Sequence, residues 1–213
     1  MAAIKLYYSS GACSLASHIL LPETGMKFEA IKIDVKAGAP EELRDINPKM
    51  RVPVLSLNGQ TITETPAIMT AISQLAPEKH LLGKTNFETV RVYEWLNWLS
   101  GTLHAQGFGG LFRPHRFSDD PTVYEAIKAK CLKTIEECFD MIETDLSSVH
   151  AVGDSFTAVD AFLYVFWRWG ARSGTINMEK YPKFLKLVVN LAKRPSFQAV
   201  VDAEGLESYV PTL

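Results

Sequence analysis

The sequence predicts a small α/β domain followed by a larger all-α domain, and two patterns predict this division. In the first third of the chain, strand-like and helix-like segments alternate in the order β-α-β-α-β-β-α. After about residue 78, amphipathic helical patterns follow one another without a further strand-like segment. The 213 residues suffice for two small domains. We expect these domains at residues 1–79 and 88–213, joined by a polar linker at 80–87.

Composition argues against several classes of protein. Hydrophobic residues make up 47% and charged residues 22% of the chain, and the net charge is −2 with both signs well mixed. No Lys/Arg run indicates nucleic-acid binding, and no apolar run is long enough to span a bilayer. The N-terminus lacks the pattern of a secretory leader, so we expect a cytoplasmic protein. Three cysteines are too few for a disulfide scaffold, and no zinc-site spacing occurs, so we expect no metal.

The first three elements form a β-α-β pattern. Residues 4–8 (IKLYY) are typical of a strand. Residues 13–25 have helical spacing and stop at Gly25, a common residue just past a helix end. Pro22 indicates an early end or a kink, because proline inside a helix removes a hydrogen bond. Residues 28–34 (FEAIKID) predict a second strand, which a right-handed crossover makes a parallel neighbour of the first.

A hairpin and a helix complete the first domain. The polar segment 39–48 is expected to contain one short irregular helix. Within residues 52–64, two β-rich runs flank Asn58-Gly59, which is the strongest short signal for a hairpin. Residues 66–77 open with a proline that suits the first turn of a helix, and their apolar residues recur at helical spacing.

The second domain is predicted from a series of helical patterns. The first, at residues 86–106, carries a core stripe formed by Val92, Trp95, Leu96, Leu99 and Leu103. Further helices are expected at about 121–146, 157–172, 181–192 and 196–203. Thr157 and Asp160 have the spacing of a capping box, in which two residues satisfy each other's backbone N–H groups at a helix start.

Cys13 is the first candidate for chemistry, because it lies at a strand-to-helix turn. Backbone N–H groups in a first helical turn have no intrahelical partner, and the helix dipole adds partial positive charge. Both effects lower the pKa of a cysteine, and they equally stabilise the thiolate of a bound ligand. The alternative is a small residue that fills the junction. Cys131 and Cys138 belong to a helical pattern, and we expect both to be buried structural thiols.

Two loops of the first domain offer further candidates. Val52-Pro53 suits a strand start or a cis peptide, and a cis peptide turns the Val52 backbone toward an extended ligand. Glu64 and Thr65 precede a helix, where Thr65 is expected to act as the cap. A helix N-terminus also binds carboxylates, and an adjacent Glu64 receives an ammonium group, so the pair suits an amino-acid terminus. Capping alone is the alternative.

A polar stripe is predicted on the long helix at residues 86–106. Asn97, Gly101 and His104 follow each other at i, i+4 and i+7, which places them on one face of a regular helix. Such a face suits a partly buried cleft or a subunit contact, and a solvated histidine is the alternative for His104.

Five motifs together resemble the glutathione transferase family, and specifically its bacterial β class. They are KLYYSSGACSLASHI, NPKMRVPVL, ITETPAI, EWLNWL…LH and GDSFTAVDAFLY, and they occur in the family's order and spacing along essentially the whole chain. The resemblance implies a thioredoxin-like N-terminal domain, an all-α C-terminal domain, and glutathione as co-substrate without a tightly bound cofactor. It also implies a homodimer.

The resemblance implies a role for each of the first domain's candidates. Cys13 matches the family's active-site cysteine close to the glutathione sulfur. Val52, before a cis-Pro53, matches the residue that binds the cysteinyl backbone of glutathione in the manner of a β-strand. Glu64 and Thr65 match the residues that hold the γ-glutamyl amine and carboxylate.

Two residues of the second domain also match. His104 matches a histidine that reaches the glutathione thiol region, and Asn97 matches a polar position near it. The chain departs from the pattern at Ala105, where some relatives carry a basic residue, and this removes one contact to the glycyl carboxylate. Thr65 replaces a more familiar serine but keeps the hydroxyl.

The function that the resemblance implies is conjugation of the glutathione thiolate to small apolar electrophiles. Thiol–disulfide exchange through Cys13 is a second chemistry, and a non-catalytic binding or scaffold protein of the same fold is the alternative. The electrophile pocket is expected to be lined by aromatic and aliphatic side chains, namely Tyr8, Phe108, Leu111 and Phe112, and ordinary core packing is the alternative for each of them.

Overall fold

The first domain is built on a four-stranded mixed sheet. A computed structural model describes residues 3–35 and 38–211. The strands are β1 (Ile4–Tyr8), β2 (Glu29–Lys32), β3 (Val54–Leu57) and β4 (Gln60–Thr63). Their order in the sheet is β2-β1-β3-β4, with β1 parallel to β2 and the other pairs antiparallel. The sheet therefore has the predicted parallel β1/β2 pair and the predicted hairpin.

The β3–β4 hairpin closes through the residues that predicted it. Asn58 and Gly59 both have positive φ, 51° and 81°. This is the backbone of a type I′ turn, whose twist matches that of the flanking strands. The pairing of Leu57 with Gln60 then fixes the register of the hairpin.

Three helices belong to the first domain: α1 (Ser14–Glu23), α2 (Leu43–Ile46) and α3 (Thr65–Gln74). Pro22 lies in the last turn of α1. The helix ends there because the Thr24 and Gly25 N–H groups bond to the carbonyls of Leu21 and Pro22. Gly25 adopts a φ of 70°, as expected of a residue just past a helix end.

The rest of the described chain is helical, as predicted. Its elements are α4 (Asn86–Trp98), a π-helical segment (Leu99–Phe108), α5 (Gly109–Phe112), α6 (Tyr124–Asp145), α7 (Ala158–Ser173), α8 (Pro182–Ala192) and α9 (Pro195–Glu204). The boundaries of α6 to α9 lie within three residues of the predicted ones. The fold is therefore a thioredoxin-like α/β domain followed by an all-α domain. None of the described helices is long and apolar enough to cross a membrane.

The π-helical segment is the main departure from the predicted elements. The prediction continues one regular helix to residue 106, whereas the backbone widens from Leu99 onward. Two glycines explain why this segment and the following α5 pack closely on α6. A β-carbon on Gly107 would lie 2.8 Å from Ile135 Cγ1, and one on Gly110 would lie 2.3 Å from Cys131 Sγ. Cys131 is buried and unpaired, as expected of a structural thiol.

Helix α7 joins the two domains, because it packs against α1 and most of its residues are buried. The predicted capping box is present at its start, where the Thr157 N–H donates to Asp160 Oδ2 at 2.8 Å. Asp160 Oδ1 also accepts the Ala151 N–H at 2.9 Å. One continuous apolar core therefore runs beneath the sheet and through the helices, and it supports the loop that precedes α1.

Candidate functional site

The loop between β1 and α1 carries Cys13 directly before the first helical residue. The loop is held by short polar contacts, because the Ser14 hydroxyl bonds to both the N–H and the carbonyl of Ser9, at 3.1 and 3.2 Å. Gly11 has a φ of 70°, in the region that favours glycine. The Cys13 side chain is 9% exposed, and its Sγ lies 3.5 Å from the carbonyl oxygen of Val52.

The Cys13 thiol is neutral in the free protein. Burial raises its pKa to about 11, although the Thr65 hydroxyl, the Arg113 charge and the backbone N–H groups of Cys13 and Ser14 act in the opposite direction. The expectation that the helix N-terminus lowers this pKa is therefore wrong for Cys13 itself, because desolvation outweighs the N–H groups. A neutral thiol at this position donates a hydrogen bond.

Val52 and Pro53 lie beside the thiol, and the peptide bond between them is cis, as the resemblance implies. The Val52 carbonyl points toward Cys13, where it accepts the thiol hydrogen. Val52 and Val54 belong to a small apolar cluster with Leu43. This cluster fixes the start of β3.

Glu64 and Thr65 lie at the start of α3, with a correction to the predicted cap. Glu64 is the N-cap, and Thr65 is already the first helical residue. The Thr65 hydroxyl is buried and makes no side-chain cap bond, and its interaction with the Cys13 thiol lowers the pKa of that thiol. The exposed Glu64 carboxylate pairs with the Lys49 ammonium at 2.6 Å, and Lys49 also reaches the Thr63 hydroxyl at 3.0 Å. The Glu64 carboxylate therefore already pairs with one ammonium group, that of Lys49. The resemblance implies that it holds another, the γ-glutamyl amine of glutathione.

His104 is half-buried on the π-helical segment, against the aromatic core of the second domain. Its ring centroid lies 5.3 Å from that of Trp169 and 6.2 Å from that of Phe166. Burial lowers the pKa of His104 to about 4, and the charges of Arg113, Arg116 and Arg51 lower it further. His104 is consequently a neutral imidazole at pH 7.

Three arginines that the sequence analysis did not single out surround this histidine. Arg51 directly precedes Val52, and Arg113 and Arg116 follow α5. The Arg113 charge acts on both Cys13 and His104, so this side chain links the two domains electrostatically. The only feature of the sequence that indicates this group of arginines is the pair in RPHR, Arg113 and Arg116. Arg51 lies far from that pair in the chain.

Asn97 does not share a face with His104 in the manner that was predicted. Asn97 is exposed near the end of α4, and the π-helical segment begins two residues later. A π-helix has wider turns than an α-helix, so the i to i+7 spacing no longer places Asn97, Gly101 and His104 in line. The role of Asn97 near glutathione stays a prediction.

Two of the four predicted pocket residues are buried, and the structure corrects one of them. Tyr8 is 7% exposed, with its ring 4.8 Å from that of His18, so it belongs to the core behind β1. Burial raises the pKa of Tyr8, and the nearby Glu204 charge adds to this effect. Phe108 is fully buried among other aromatic rings, including Phe166 at 6.0 Å. Phe108 is therefore closed to a ligand, whereas Tyr8 is about as exposed as Cys13 and Thr65, and its place in the pocket stays a prediction.

The other two predicted pocket residues keep an accessible surface. Leu111 is half-buried and packs on the core. Phe112 is 49% exposed, and its ring centroid lies 5.8 Å from that of Trp169. These residues remain candidates for an apolar wall next to His104.

Residues of the second domain clamp Gly11, two positions before Cys13. The Trp169 Nε1–H donates to the Gly11 carbonyl at 2.8 Å, and the Gly11 N–H donates to Glu204 Oε2 at 2.8 Å. Glu204 Oε1 also lies 2.8 Å from His18 Nδ1, so the carboxylate is bound on both sides. The sequence analysis missed this clamp, because its members lie more than 150 positions from Gly11.

A groove of about 660 Å³ lies elsewhere, between the end of α1 and the start of α9. Its lining includes Lys79, Lys193 and Arg194, but Arg194 Nε already donates to Glu23 at 2.9 Å. The groove shares no residue with the Cys13 site, and we assign it no role. Among residues 3–35 and 38–211, no cluster of three His, Cys, Asp or Glu side chains is arranged to hold a metal ion.

Comparison with known proteins agrees with this geometry. Residues 2–74 match the model of the glutathione S-transferase N-terminal domain, and residues 104–195 match that of the C-terminal domain. The glutathione S-transferase GstA of Escherichia coli O157:H7 is 35% identical over 211 residues, which cover 96% of this chain and 100% of that protein.

Solved structures give the same result. A glutathione transferase homologue from Sulfitobacter, with bound glutathione, has a TM-score of 0.90 at 25% identity and covers 97% of this chain and 100% of its own. A β-class glutathione S-transferase from Sphingomonas chungbukensis has a TM-score of 0.82 at 32% identity, with coverages of 95% and 100%. The fold, family and enzyme class predicted from the sequence are confirmed, and this chain belongs to the glutathione S-transferase family.

Proposed function

We propose that this protein binds glutathione between Cys13, Val52 and Thr65 and joins its thiolate to small electrophiles. The observation that carries the proposal is the convergence of three elements on one sulfur. The Cys13 thiol lies 3.5 Å from the Val52 carbonyl, and the Thr65 hydroxyl lowers the pKa of the same thiol. The site is thus built from the loop before α1, the start of β3 and the first turn of α3.

Glutathione is expected to lie along the start of β3. The Val52 backbone pairs with the cysteinyl unit of the tripeptide, as one strand pairs with another. The γ-glutamyl ammonium replaces Lys49 at the Glu64 carboxylate, and the γ-glutamyl carboxylate lies at the N-terminus of α3. The Lys49–Glu64 ion pair supports this arrangement, because it demonstrates that Glu64 accepts an ammonium group.

Several groups of the site stabilise a sulfur anion supplied by the ligand. On binding, the single S–H of a neutral Cys13 turns from the Val52 carbonyl to the ligand sulfur, and the Arg113 charge acts on the same place. A free thiol of this type has a pKa of about 8.5, and lowering it by about 2 units corresponds to ~2.7 kcal/mol. His104 holds no proton charge at pH 7, so it serves as a neutral hydrogen-bonding group.

Conjugation is better supported than disulfide exchange through Cys13. Exchange begins with attack by a thiolate, and burial keeps Cys13 protonated at neutral pH. Phe112 and Leu111 offer an apolar wall for the electrophile next to His104. The alternative of a non-catalytic scaffold requires that the bound glutathione thiol keeps its ordinary pKa.

A homodimer and a cytoplasmic location belong to the same proposal. Phe87 and Val90 lie one turn apart on α4 and are 67% and 61% exposed. A second copy of the chain is the proposed cover for these apolar side chains. Cys13, Cys131 and Cys138 are all unpaired, which fits a reducing compartment.

The test is a titration of bound glutathione, followed by the ultraviolet absorbance of its thiolate, together with a conjugation assay. In the wild type we expect the thiol pKa of glutathione to fall by about 2 units on binding. Cys13→Ala removes one donor, so we expect about half of that shift to be lost and conjugation to slow by about 10-fold.

Cys138→Ala is the matched control, because Cys138 is another buried free cysteine but lies on α6. It is expected to leave the pKa of bound glutathione unchanged. Binding without a change in this pKa and without turnover would contradict the proposal and favour the scaffold. Unchanged conjugation in Cys13→Ala would exclude Cys13 from the chemistry.

A further inference from the structure

Three arginines gather at the rim of the proposed site, and we call Arg51, Arg113 and Arg116 the arginine cluster. Their backbones are fixed. The Arg51 carbonyl accepts the Asn47 amide at 2.7 Å, the Arg113 N–H donates to Gly109, and the Arg116 N–H donates to Arg113. The cluster therefore has a defined place, beside the cis peptide on one side and after α5 on the other.

The cluster lacks acidic partners within the described part of the chain. Nine ion pairs join described residues, and none of them includes an arginine of the cluster. Elsewhere, Arg44, Arg91 and Arg194 each pair with a glutamate. Arg168 and Arg172 on α7 also have no ion-pair partner among the described residues, so the lack of a countercharge alone does not distinguish the rim. What distinguishes the cluster is that its three charges act on one another and on His104.

The three charges also act on one another. Burial lowers the pKa of Arg116, and the charges of Arg113 and Arg51 lower it further. All three arginines also lower the pKa of His104. Like charges that converge without a countercharge repel one another, and an anion between them removes that repulsion. Arg113 is half-buried, so this potential is screened less than that of fully exposed side chains.

An aromatic surface adjoins the cluster. Phe112 precedes Arg113 in the chain and is 49% exposed, with Trp169 as its neighbour on the inner side. A ligand that contacts both groups has an apolar ring and an anionic group attached to it. Arginine suits such a ligand because its planar fork binds carboxylates with two hydrogen bonds.

We infer that the second substrate of this enzyme is an organic anion, an aryl or alkyl electrophile with a carboxylate or sulfonate that the arginine cluster binds. The inference rests on the proposed function and adds the charge of the substrate to it. It revises the expectation of a purely apolar electrophile. The other source of the same chemistry is the glycyl carboxylate of glutathione, and the experiment separates the two.

The test compares 4-chloro-3-nitrobenzoate with its methyl ester. In both, the glutathione thiolate forms a C–S bond at the ring carbon, the C–Cl bond breaks and chloride leaves, so no oxidant is needed. Each kcat/KM is divided by the rate constant of the reaction without enzyme, which cancels the difference in intrinsic reactivity. We expect this ratio to favour the acid over the ester by about 10-fold, and high salt to reduce the preference.

The Arg51→Gln, Arg116→Gln double variant is expected to lose this preference, and the corresponding lysine variant to retain part of it. Arg172→Gln is the matched control, because it removes one exposed positive charge in the last turn of α7. It is expected to leave the preference unchanged. Equal loss of both activities in the double variant would overturn the inference.

Two further measurements separate the possible failures. If the double variant raises KM for glutathione but not for its glycyl ethyl ester, the cluster holds the glycyl carboxylate and the inference is overturned. If the wild type conjugates neither electrophile, the proposed function fails. Binding of 4-nitrobenzoate and its methyl ester in the presence of S-methylglutathione then decides the inference alone, since tighter binding of the acid supports it and equal binding overturns it.

Discussion

The two walls of the site are built on different physical principles. The thiol wall, residues 9–14, 52–54 and 63–66, is formed by backbone geometry: a positive φ at Gly11, a cis peptide and two helix starts. The helical wall, residues 104–116, is formed by side-chain charge and aromatic packing on a π-helical segment. Backbone geometry is encoded by neighbouring residues, whereas the helical wall depends on residues brought together by the whole fold.

The walls are also unequal in charge. Within the thiol wall, the Glu64 carboxylate is balanced by Lys49. In the helical wall, Arg113 and Arg116 have no ion-pair partner among the described residues. This difference in charge underlies our proposal that the first wall binds a zwitterionic amino-acid end and the second an anion.

The largest expected effect concerns Gly11 of the thiol wall, which Trp169 and Glu204 of the second domain clamp. A β-carbon on Gly11 would lie 2.7 Å from Arg168 Nη1 and 3.3 Å from Leu206 Cδ2, and its φ is 70°. Arg168 is buried and its Nε donates to the Glu207 carbonyl, so it does not move freely. We expect Gly11→Ala to lower the free energy of unfolding by about 2–5 kcal/mol, measured by urea denaturation.

Gly25→Ala is the matched control for this prediction. Gly25 has the same φ of 70°, but nothing lies within 4 Å of its added β-carbon. It is expected to cost only the backbone strain, about 1–2 kcal/mol. If both variants lose the same free energy of unfolding, contact between Gly11 and the second domain does not contribute to stability.

The second effect is the alkylation of Cys13 as a function of pH. Because burial raises its pKa to about 11 from 9.0, we expect a thiolate fraction at pH 7 that is about 100-fold below that of a free cysteine. In a Cys131→Ser, Cys138→Ser background, the rate of reaction with iodoacetamide should rise toward pH 11. A rate that levels off below pH 8 would contradict a neutral thiol.

The same titration compares the two walls directly. The Thr65 hydroxyl and the Arg113 charge both lower the Cys13 pKa, and the hydroxyl has the larger effect. We therefore expect Thr65→Val to raise the midpoint of the alkylation profile more than Arg113→Gln does. The opposite order would mean that the helical wall controls the sulfur.

A smaller effect is expected from His104 in acid. The pKa of His104 is lowered to about 4 from 6.5 by burial and then by the arginine cluster, so the unfolded chain binds a proton that the folded protein does not. Stability that is present above pH 6.5 is thus lost as the pH falls toward 4, by roughly 1–2 kcal/mol. The measurement is the difference in free energy of unfolding between the wild type and His104→Gln across this range.

Arg116→Gln sharpens this prediction. Removing one of the three charges should raise the pKa of His104 toward 6.5, as followed by the NMR shift of its ring proton. The matched control is Arg172→Gln, whose charge does not act on His104. An unchanged His104 titration in Arg116→Gln would mean that burial alone sets this pKa.

Sequence reasoning identified most of the thiol wall because its signals are local. Asn58-Gly59 specifies its turn, and Val52-Pro53 and Cys13 lie within short motifs that carry the family resemblance. The sign of the Cys13 pKa was missed, because the sequence indicates a helix N-terminus but not the burial that outweighs it. The position of Thr65 differed by one residue from the predicted cap for a related reason, since its hydroxyl acts on the Cys13 thiol instead.

The helical wall was less predictable. Arg113 and Arg116 of this wall act together with Arg51, which lies far away in the chain. The contacts of Glu204 and Trp169 with Gly11, which lie outside the helical wall, have no local signal either. Phe108 was predicted to line a pocket, but it is fully buried, and the sequence does not distinguish an apolar pocket residue from an apolar core residue. Helical periodicity also failed to predict the change at Leu99, where the α-helix becomes a π-helix.

The smallest expected effect tests the consequence of the change from α-helix to π-helix at Leu99. If residues 86–106 were one regular helix, Asn97 would share a face with His104 and lie over the glutathione sulfur. Because the π-helical segment intervenes and Asn97 is exposed, we expect Asn97→Ala to change KM for glutathione and kcat by less than about 2-fold. Glu64→Gln is the contrasting variant, with an expected rise in KM of about 10-fold from the lost ammonium contact. A 10-fold change in KM or kcat in Asn97→Ala would mean that Asn97 contacts glutathione. Helical spacing would then predict the residues of the helical wall as well as local motifs predict those of the thiol wall.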